Sequence, residues 1–449
     1  MSSCFHLFFA SHEHVLLGHG TFGIDWQLSL YATLAFLIIG IALVLSILWI
    51  KKKFATGGMC SLYINDDQEM TKKVAAGQTL LQALTSEGIP IPSPCGGKAT
   101  CKQCKVQIVK NADDPLETDR STFSKKQLKD GWRLSCQTKV NHDLSLHIEE
   151  SLTGVKEWEC EVTSNNNVAT FIKELAVSLP EGERVNYKSG GYLQIHVPPF
   201  KTNTSDWKET TDPQYFGDWE KFGLWNREID FSNIAPGQIR AYSMASYPAE
   251  GGKLLFNIRI ATPPFVQGKI SETIPWGMCS SYAFSLKPGD KVKVSGPYGE
   301  SYMINDQRDL YFLIGGAGSS FARSHIMHLF KTENTKRNVS LWYGARALRE
   351  NIYQEEYELL AKEFPNFSYN LVLSEPLPED ITSGWPKEDP VKTNFLFRAF
   401  EIGKLKKLEA PEESLFYVCG PPLHNKSVLK LLDDYGVPRE SIILDDFGS

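Results

Sequence analysis

Four cysteines constrain this chain more tightly than any other feature of its sequence. Cys95, Cys101 and Cys104 lie within ten residues, with five and two residues between them, and Cys136 follows after 31 more. Three thiolates on one loop with a distant fourth suit a [2Fe–2S] cluster, because each of its two irons needs a pair of sulfur ligands. The chain must therefore fold back so that Cys136 reaches the loop that carries the other three.

The alternative for these cysteines is a structural zinc site. Zinc modules usually present two short Cys-x-x-Cys arms, whereas this sequence has only one. Gly96 and Gly97 also favour the cluster, because a loop around inorganic sulfide needs backbone N–H groups that approach without a blocking side chain. The sequence predicts an iron–sulfur site, and a membrane-anchored, zinc-stabilised scaffold stays as an alternative of a different functional class.

A second feature is a stretch of 25 residues, Trp26 to Ile50, without a charged side chain. About 20 apolar residues cross a bilayer as a helix. Residues 1–25 contain no Lys or Arg, unlike the basic leader of a signal peptide. We therefore predict a retained transmembrane helix at residues 26–50, rather than a signal peptide or a buried core helix. The three lysines 51–53 place the C-terminal side in the cytoplasm, and residues 1–25 on the other side.

The remaining chain is long enough for three globular domains. The chain has 449 residues, and its net charge of −6 argues against a nucleic-acid partner. We predict an α+β module at 58–150 and an antiparallel β-barrel at 157–302, where short alternating runs such as Tyr192–Val197 are separated by Gly and Pro. Beyond Leu310, apolar strands such as Leu415–Cys419 alternate with amphipathic helices, one of them from about Leu348, which predicts a parallel α/β sheet at 308–449.

One segment within the barrel region, Lys201 to Gln238, is too long for an ordinary barrel loop. It is polar and acidic but carries seven aromatic residues: Trp207, Tyr215, Phe216, Trp219, Phe222, Trp225 and Phe231. Such a density of aromatics forms either a docking surface for another subunit or a self-packed cover over the barrel. The sequence does not favour one of these interpretations over the other.

A flavin dinucleotide site is indicated by Arg240-Ala-Tyr242-Ser243 and by the turn Gly277 to Ser281. A bound flavin dinucleotide needs a cation and N–H donors on its pyrophosphate, and an aromatic wall beside its ring or ribose. Arg240 and the turn supply the charge and the amides, and Tyr242 supplies the wall. The alternative is a barrel strand with ordinary surface residues, but its position before a nucleotide-type sheet favours the flavin.

A second nucleotide site is indicated by Ile314-Gly-Gly-Ala-Gly-Ser319, which follows an apolar strand and opens a helix. Glycines at such a turn let a dinucleotide pyrophosphate approach the backbone and the helix N-terminus. Cys419 ends a later strand, where ligands of α/β sheets bind, and Phe447 near the C-terminus is placed to cover a flavin ring. The alternatives are an ordinary tight turn for the glycines, and buried core positions for Cys419 and Phe447.

The order of these motifs resembles that in the family of F subunits of the bacterial Na⁺-translocating NADH:quinone oxidoreductases. The resemblance covers the chain from residue 26 to its end. It is carried by Cys95–Cys104 with Cys136, Arg240–Ala245, Arg259–Pro264, Trp342–Arg346, Cys419–Pro422 and Leu444–Gly448.

The resemblance implies a fold, a reaction and roles for individual residues. The fold is a transmembrane helix, a ferredoxin-like (β-grasp) domain, a flavin barrel and a ferredoxin-reductase-type nicotinamide domain. NADH would pass hydride to FAD, and single electrons would continue through the [2Fe–2S] cluster toward quinone, in the bacterial inner membrane and with other subunits of a sodium-transporting complex. The cluster ligands would be Cys95, Cys101, Cys104 and Cys136; the FAD residues Arg240, Tyr242, Ser243, Gly277, Ser280 and Ser281; the NADH residues Gly315, Gly316, Gly318 and Gly420. Cys419 and Phe447 would lie at the reacting rings.

The chain departs from the family pattern in the nucleotide loop. The family usually has Gly-Gly-Gly-Ala-Gly-Met-Ala-Pro, whereas here Ile314 replaces the first Gly, and Ser319, Ser320 and Phe321 replace Met-Ala-Pro. This change bears on how the nicotinamide is placed rather than on whether the domain exists. The second enzymatic interpretation is the reductase component of a multicomponent oxygenase, against which the anchor and the five-residue cysteine gap count.

Overall fold

The protein is represented by a computed structural model that describes residues 26–54, 58–65, 67–148, 155–234, 238–266, 269–299 and 301–446. The chain divides into two units, Met1–Gly58 and Met59–Ser449. In the first unit the described residues form one helix, α1 (Trp26–Phe54). Within these ranges, no helix has the combined length and apolar character of a membrane crossing. The predicted segment 1–25 lies outside the described residues.

The second unit begins with a mixed sheet that carries the cysteines. Its order is β2-β1-β5-β3-β4, with β1 antiparallel to β2 and parallel to β5. A capping box starts the helix Leu80–Ser86 of this module. The side chains of Thr79 and Gln82 each accept a hydrogen bond from the other's backbone N–H. The elements are β1 (Met59–Ile64), β2 (Asp67–Ala75), α2 (Leu80–Ser86), β3 (Lys105–Lys110), α3 (Glu117–Arg120), α4 (Lys125–Lys129), β4 (Trp132–Leu134) and β5 (Leu144–His147).

An antiparallel sheet of six strands follows, in the order β11-β8-β15-β6-β7-β12. Ala245 N, just beyond β11, donates to Leu255 O of β12 at 2.7 Å, so the two edge strands approach each other as in a barrel. Alternating side chains such as Leu193, Ile195 and Val294 fill the interior. The elements are β6 (Lys156–Ala169), β7 (Ile172–Ser178), β8 (Tyr192–Val197), β9 (Phe200–Asn203), α5 (Phe216–Lys221), β10 (Glu228–Phe231), β11 (Gln238–Ser243), β12 (Lys253–Arg259), β13 (Phe265–Val266), β14 (Lys269–Ile270), α6 (Met278–Ser285) and β15 (Lys291–Tyr298).

The aromatic segment between β8 and β11 packs on this barrel. Trp207, Tyr215 and Trp219 are each at most 3% exposed and belong to the barrel core. Trp219 stacks on Trp225 with 4.7 Å between ring centroids and meets Trp207 edge to face. Of the two interpretations left open by the sequence, the structure therefore supports the self-packed cover for these residues.

A parallel sheet with helices on both faces completes the chain, in the order β18-β17-β16-β19-β20. Its central strand β16 pairs with β17 on one side and β19 on the other, so the strand order reverses there, where α/β sheets bind ligands. The elements are β16 (Leu310–Gly315), α7 (Ser319–Lys331), β17 (Val339–Ala345), α8 (Gln354–Glu363), β18 (Phe367–Leu373), α9 (Pro378–Thr382), α10 (Leu396–Gly403), β19 (Leu415–Cys419), α11 (Pro422–Asp434) and β20 (Ile442–Leu444).

Candidate active site

The cysteine loop between α2 and β3 has an unusual backbone. Between Cys95 and Cys104, four residues have left-handed φ angles: Gly96 (61°), Gly97 (89°), Ala99 (62°) and Lys102 (57°). Left-handed residues mixed with right-handed ones form concave nests of backbone N–H groups that bind anionic ligands. The loop therefore has the backbone that a sulfide-bridged cluster requires.

The four cysteines form two pairs. The sulfurs of Cys95 and Cys101 lie 3.2 Å apart, and Cys104 hydrogen-bonds to Cys136. Within each pair the hydrogen bond from one thiol lowers the pKa of the other, so Cys95 and Cys136 favour the thiolate that binds iron. Gln137 Nε2 also donates to Cys136 Sγ at 3.5 Å. Two sulfur pairs fit the ligand requirement of two irons.

The other cysteines of the described residues, Cys60, Cys160, Cys279 and Cys419, do not add a further ligand to these two pairs. All eight cysteines in the described residues are free thiols, so none forms a disulfide. Over the same part of the chain, no group of three or more His, Cys, Asp and Glu side chains is arranged around one metal-ion position. The cysteines thus meet as pairs.

The predicted FAD residues on β11 face two ways. Arg240 and Tyr242 are partly exposed and share one face, whereas Ser243 is buried on the other, as strand alternation requires. Arg240 contacts the backbone carbonyl of Cys95 through Nη1. Ser243 Oγ donates to Asp445 Oδ2 at 2.8 Å. One strand therefore reaches both the cluster loop and the C-terminal sheet.

The turn before α6 lies beside Arg240 and Tyr242. The Cys279 thiol lies close enough to Arg240 for the guanidinium charge to lower the pKa of the thiol. It also lies close enough to Tyr242 for a Cys279 thiolate to raise the pKa of the tyrosine. Gly277 caps the helix, and a Cβ there would lie 2.5 Å from Ala261 Cβ, so the position requires glycine. The first amides of α6 and the Arg240 guanidinium together offer a site for a pyrophosphate.

The two predicted serines of this turn have different surroundings. Ser280 Oγ accepts from Ala261 N at 3.1 Å and donates to Gly277 O at 3.0 Å, so it holds the turn in shape. Ser281 Oγ is buried and has no hydrogen-bond partner among the described residues. An unpartnered buried hydroxyl beside the helix start leaves a donor for a ligand.

The glycine turn after β16 presses against the end of β19. A Cβ on Gly318 would lie 2.5 Å from Cys419 O and 3.0 Å from its sulfur, and Gly316 has a φ of +56°. Gly315 lies against Pro421, and a Cβ on Gly420 would meet the His424 ring at 2.5 Å. The predicted NADH residues therefore meet at the carboxyl ends of adjacent strands, and the backbone of Cys419 leaves room only for glycine at Gly318.

The residues that depart from the family loop point away from this turn. Ser319 Oγ accepts from Asn257 Nδ2 and Ser320 Oγ from Asn257 N, each at 2.9 Å. Phe321 is fully buried, edge to face with the His325 ring at 4.7 Å between centroids. These three residues bind α7 to the barrel and to the core.

A buried acid group lies where the two nucleotide sites meet. Asp445 follows β20, its N–H donates to Val418 O at 3.0 Å, and its Oδ2 accepts from Ser243. Cys419 Sγ lies 3.9 Å from the same oxygen. Burial raises the pKa of Asp445 to about 7, and burial also raises the pKa of the Cys419 thiol. At neutral pH this trio therefore holds an exchangeable proton beside an inert, protonated thiol.

Sequence reasoning gave Asp445 no role, although it is one of two adjacent acids in the string quoted for the resemblance. A carboxylate that follows an apolar strand end was the available signal. Asn257, which binds both serines, gave no signal in the sequence. Phe447, predicted to stack on the flavin, lies outside the described residues.

Three family models match consecutive parts of the chain. A 2Fe-2S iron-sulfur cluster binding domain matches residues 63–141, an oxidoreductase FAD-binding domain residues 229–302, and an oxidoreductase NAD-binding domain residues 312–429. The predicted cofactors FAD, [2Fe–2S] and NADH are confirmed by these matches. They also favour iron–sulfur over the zinc alternative.

Curated relatives cover nearly the whole chain. The F subunit of the Na(+)-translocating NADH-quinone reductase of Chlamydia pneumoniae is 63% identical over 429 residues, which are 94% of this chain and 100% of that protein. The Neisseria gonorrhoeae protein of the same name is 45% identical over 414 residues, covering 92% of this chain and 98% of that one.

A solved structure shares the arrangement of the three globular modules. The Amycolatopsis cytochrome P450 reductase GcoB matches with a TM-score of 0.55 and 19% identity, covering 86% of this chain and 98% of that one. At this identity the likeness concerns the fold alone. The predicted ferredoxin-like, flavin and nicotinamide modules of a ferredoxin-reductase type are confirmed.

Proposed function

Since this chain belongs to the family of F subunits of the Na(+)-translocating NADH-quinone reductases, we propose that it is the electron-input subunit of the sodium-pumping complex. It oxidises NADH through FAD and a [2Fe–2S] cluster and sends the electrons toward quinone. Residues 58–150, 157–302 and 308–449 are the proposed limits of its three globular modules.

One observation carries this function: a single barrel strand contacts both partner modules. On β11, Arg240 contacts the carbonyl of the cluster ligand Cys95, and Ser243, three residues on, contacts Asp445 beside the nicotinamide turn. A flavin held along this strand has the nicotinamide on one side and the cluster on the other. Electrons then have a continuous route through the unit Met59–Ser449.

The chain's residues bind and orient the groups that exchange electrons. Arg240 and the start of α6 bind the FAD pyrophosphate, Tyr242 lines the ring or ribose, and Ser280 and Ser281 complete the turn. Bound FAD accepts two electrons as hydride and releases them singly, and the cluster bound by the four cysteines takes one at a time.

The nicotinamide site is formed mainly by glycines that let the NADH pyrophosphate approach the backbone closely, rather than by charged side chains. Gly315, Gly316 and Gly318 admit the NADH pyrophosphate to the start of α7, and Gly420 keeps the end of β19 open. Cys419 and Ser243 flank the position of hydride transfer, and Asp445 holds a proton within reach of both. Phe447 is proposed to cover the flavin ring until NADH displaces it. Catalysis by the protein is then mainly positioning.

The membrane arrangement is also part of the proposal. The uncharged stretch at 26–50 and the lysines that follow it support a single-pass anchor in the bacterial inner membrane, with the globular modules on the cytoplasmic face. The names of the relatives support association with other subunits of a sodium-translocating NADH-quinone reductase.

Anaerobic addition of NADH to the purified, FAD- and iron-loaded chain tests this function. Flavin absorbance should bleach, and the electron paramagnetic resonance signal of a reduced [2Fe–2S] cluster should then appear. Cys136→Ala should abolish iron binding and this signal, because one iron loses half of its protein ligands, while flavin bleaching stays within about twofold.

Cys160→Ala is the matched control, because Cys160 is a buried free thiol in the barrel core. It should keep both the bleaching and the signal. Persistent oxidised flavin in the parent chain would exclude NADH oxidation through FAD, and a normal cluster in Cys136→Ala would exclude the ligand assignment.

A further inference from the structure

Asn257 is a buried residue of barrel strand β12 whose backbone N–H and two polar side-chain atoms contact the nicotinamide module. It is 5% exposed. Its backbone N–H donates to Ser320 Oγ at 2.9 Å, and its Nδ2 to Ser319 Oγ at 2.9 Å. Its Oδ1 accepts from the Tyr353 hydroxyl at 3.0 Å. Three hydrogen bonds from one residue therefore fix the barrel to two separate segments of the α/β sheet.

Tyr353 is held in a costly conformation at this contact. It has a φ of +62°, in the left-handed region that bulky residues rarely adopt. Its hydroxyl shares its one proton between Asn257 Oδ1 at 3.0 Å and Glu174 Oε2 of β7 at 2.5 Å, and the Arg323 guanidinium lies 5.1 Å from its ring centroid. Burial raises its pKa, so it stays a neutral donor. Strained residues of this kind persist where the surrounding contacts fix a functional geometry.

The bonded residues lead directly to the two cofactor turns. Ser319 and Ser320 are the first residues of α7, which begins at the nicotinamide glycine turn. Four residues after Asn257, Ala261 accepts from Gly277 N at 2.8 Å and donates to Ser280, and so fixes the start of α6. The spacing between the two pyrophosphate-binding helix starts is thus set through Asn257.

We propose that Asn257, with Ser319, Ser320 and Tyr353, forms a clamp that sets the distance between the nicotinamide and the flavin for hydride transfer. The inference rests on the proposed function. These four are positioning residues: they lie behind the two helix starts and act through them. Hydride transfer requires reacting atoms about 3–3.5 Å apart, and a displacement near 1 Å costs about 100-fold in rate.

The test compares Asn257→Ala, Ser319→Ala and Tyr353→Phe with the parent chain, all loaded with FAD and cluster. Stopped-flow measurement should show flavin reduction by NADH slowed about tenfold in Asn257→Ala and about threefold in the other two. The primary isotope effect with NADH deuterated at the transferred position should rise, because hydride transfer becomes more rate-limiting. FAD content and the KM for NADH should change by less than about twofold.

A second readout needs no reaction. In the loaded chain without NADH, backbone amides of residues 316–322 should exchange with deuterium faster in Asn257→Ala and Tyr353→Phe. Tyr435→Phe is the matched control, since its hydroxyl donates to Glu401 at 3.1 Å within the nicotinamide module and does not cross to the barrel. It should match the parent in both measurements.

The two hypotheses fail in different ways. If the parent chain does not reduce its flavin with NADH, the proposed function is wrong. If the parent does so while folded Tyr353→Phe and Ser319→Ala keep its hydride-transfer rate, isotope effect and amide exchange, the clamp is wrong. Should Asn257→Ala not fold, the other two variants decide the outcome.

Discussion

The barrel meets its two neighbouring modules through contacts of different kinds. The contact with the nicotinamide module, here the nicotinamide seam, contains a buried ion pair between Arg323 and Glu250 at 2.7 Å, besides the Asn257 and Asp445 contacts. The contact with the cluster module, here the cluster seam, contains the Arg240 contact with the Cys95 carbonyl and two neutral side-chain bonds. Tyr192 donates to Gln103 at 2.9 Å, and Gln194 to Ile91 O at 3.2 Å.

The difference matches what crosses each seam. Hydride moves between two rings only when their atoms are in direct contact, so the nicotinamide seam needs buried charges and a fixed distance. A single electron passes to the cluster without a bond between donor and acceptor. The cluster seam is held by the Arg240 contact and by two neutral hydrogen bonds worth about 0.5–1.5 kcal/mol each, with no ion pair among these three contacts, and so more weakly. The fold therefore places its rigidity where the chemistry is most sensitive to distance.

Removal of the buried cation should break the nicotinamide seam most severely. The Arg323 side chain is 8% exposed and also pairs with Glu356 at 2.9 Å, so Arg323→Met leaves the Glu250 and Glu356 carboxylates without their cation. We expect a loss of about 3 kcal/mol in the free energy of unfolding, near the low end for buried pairs because the carboxylates stay partly hydrated. Urea denaturation measures it.

A matched control is the surface pair of Lys291 with Glu161, in which both side chains are 53% exposed. Lys291→Met should leave the urea midpoint unchanged. If Arg323→Met also left the urea midpoint unchanged, the Arg323 charge would not stabilise the nicotinamide seam.

The sequence predicted what depends on local pattern. Tyr192–Val197 and Leu415–Cys419 were predicted as strands and are strands with the same bounds, because alternation or a short apolar run specifies each of them locally. The cysteines were predicted because short spacing brings three of them onto one loop.

The seams could not be predicted, because they join residues that are distant in sequence. Ser243 and Asp445 are 202 residues apart, and Asn257 meets Tyr353 across 96. A helix was also predicted from about Leu348; a single 3₁₀ turn forms at Leu348–Glu350, but the α-helix α8 begins only at Gln354. Glu350 accepts from Thr170 N of the barrel at 3.0 Å, and this tertiary contact holds the preceding segment out of the helix.

Asp445 should make the stability of the nicotinamide seam depend on pH. Its folded pKa, about 7, lies above the ordinary value of 3.8, so the folded state holds this proton more tightly than the unfolded state does. Stability from this group is therefore greatest below the unfolded pKa and is lost as pH rises toward 7. Asp445→Asn cannot titrate, so its free energy of unfolding relative to the parent should improve steadily as pH rises from about 4 to about 7.

Thermal unfolding of both chains across this pH range measures the change. Asp433→Asn, at an exposed carboxylate at the end of α11, is the control and should follow the parent curve. Parallel curves for Asp445→Asn and the parent would mean that Asp445 ionises normally in the folded chain.

The smallest effect is expected at the cluster seam. Tyr192→Phe removes the hydroxyl that donates to Gln103 and keeps the ring stacked on Tyr298, whose centroid is 5.4 Å away. The loss in the free energy of unfolding should be about 1 kcal/mol, because Gln103 is partly exposed and can bond water instead.

In stopped-flow experiments on Tyr192→Phe, electron transfer from reduced flavin to the cluster should slow about twofold, while flavin reduction by NADH stays the same. Tyr298→Phe is the control, since the Tyr298 hydroxyl hydrogen-bonds to Ser295 within the barrel rather than to the cluster module. A fall in the NADH step with Tyr192→Phe would show that the two seams are mechanically coupled, and that the cluster module helps to set the nicotinamide distance.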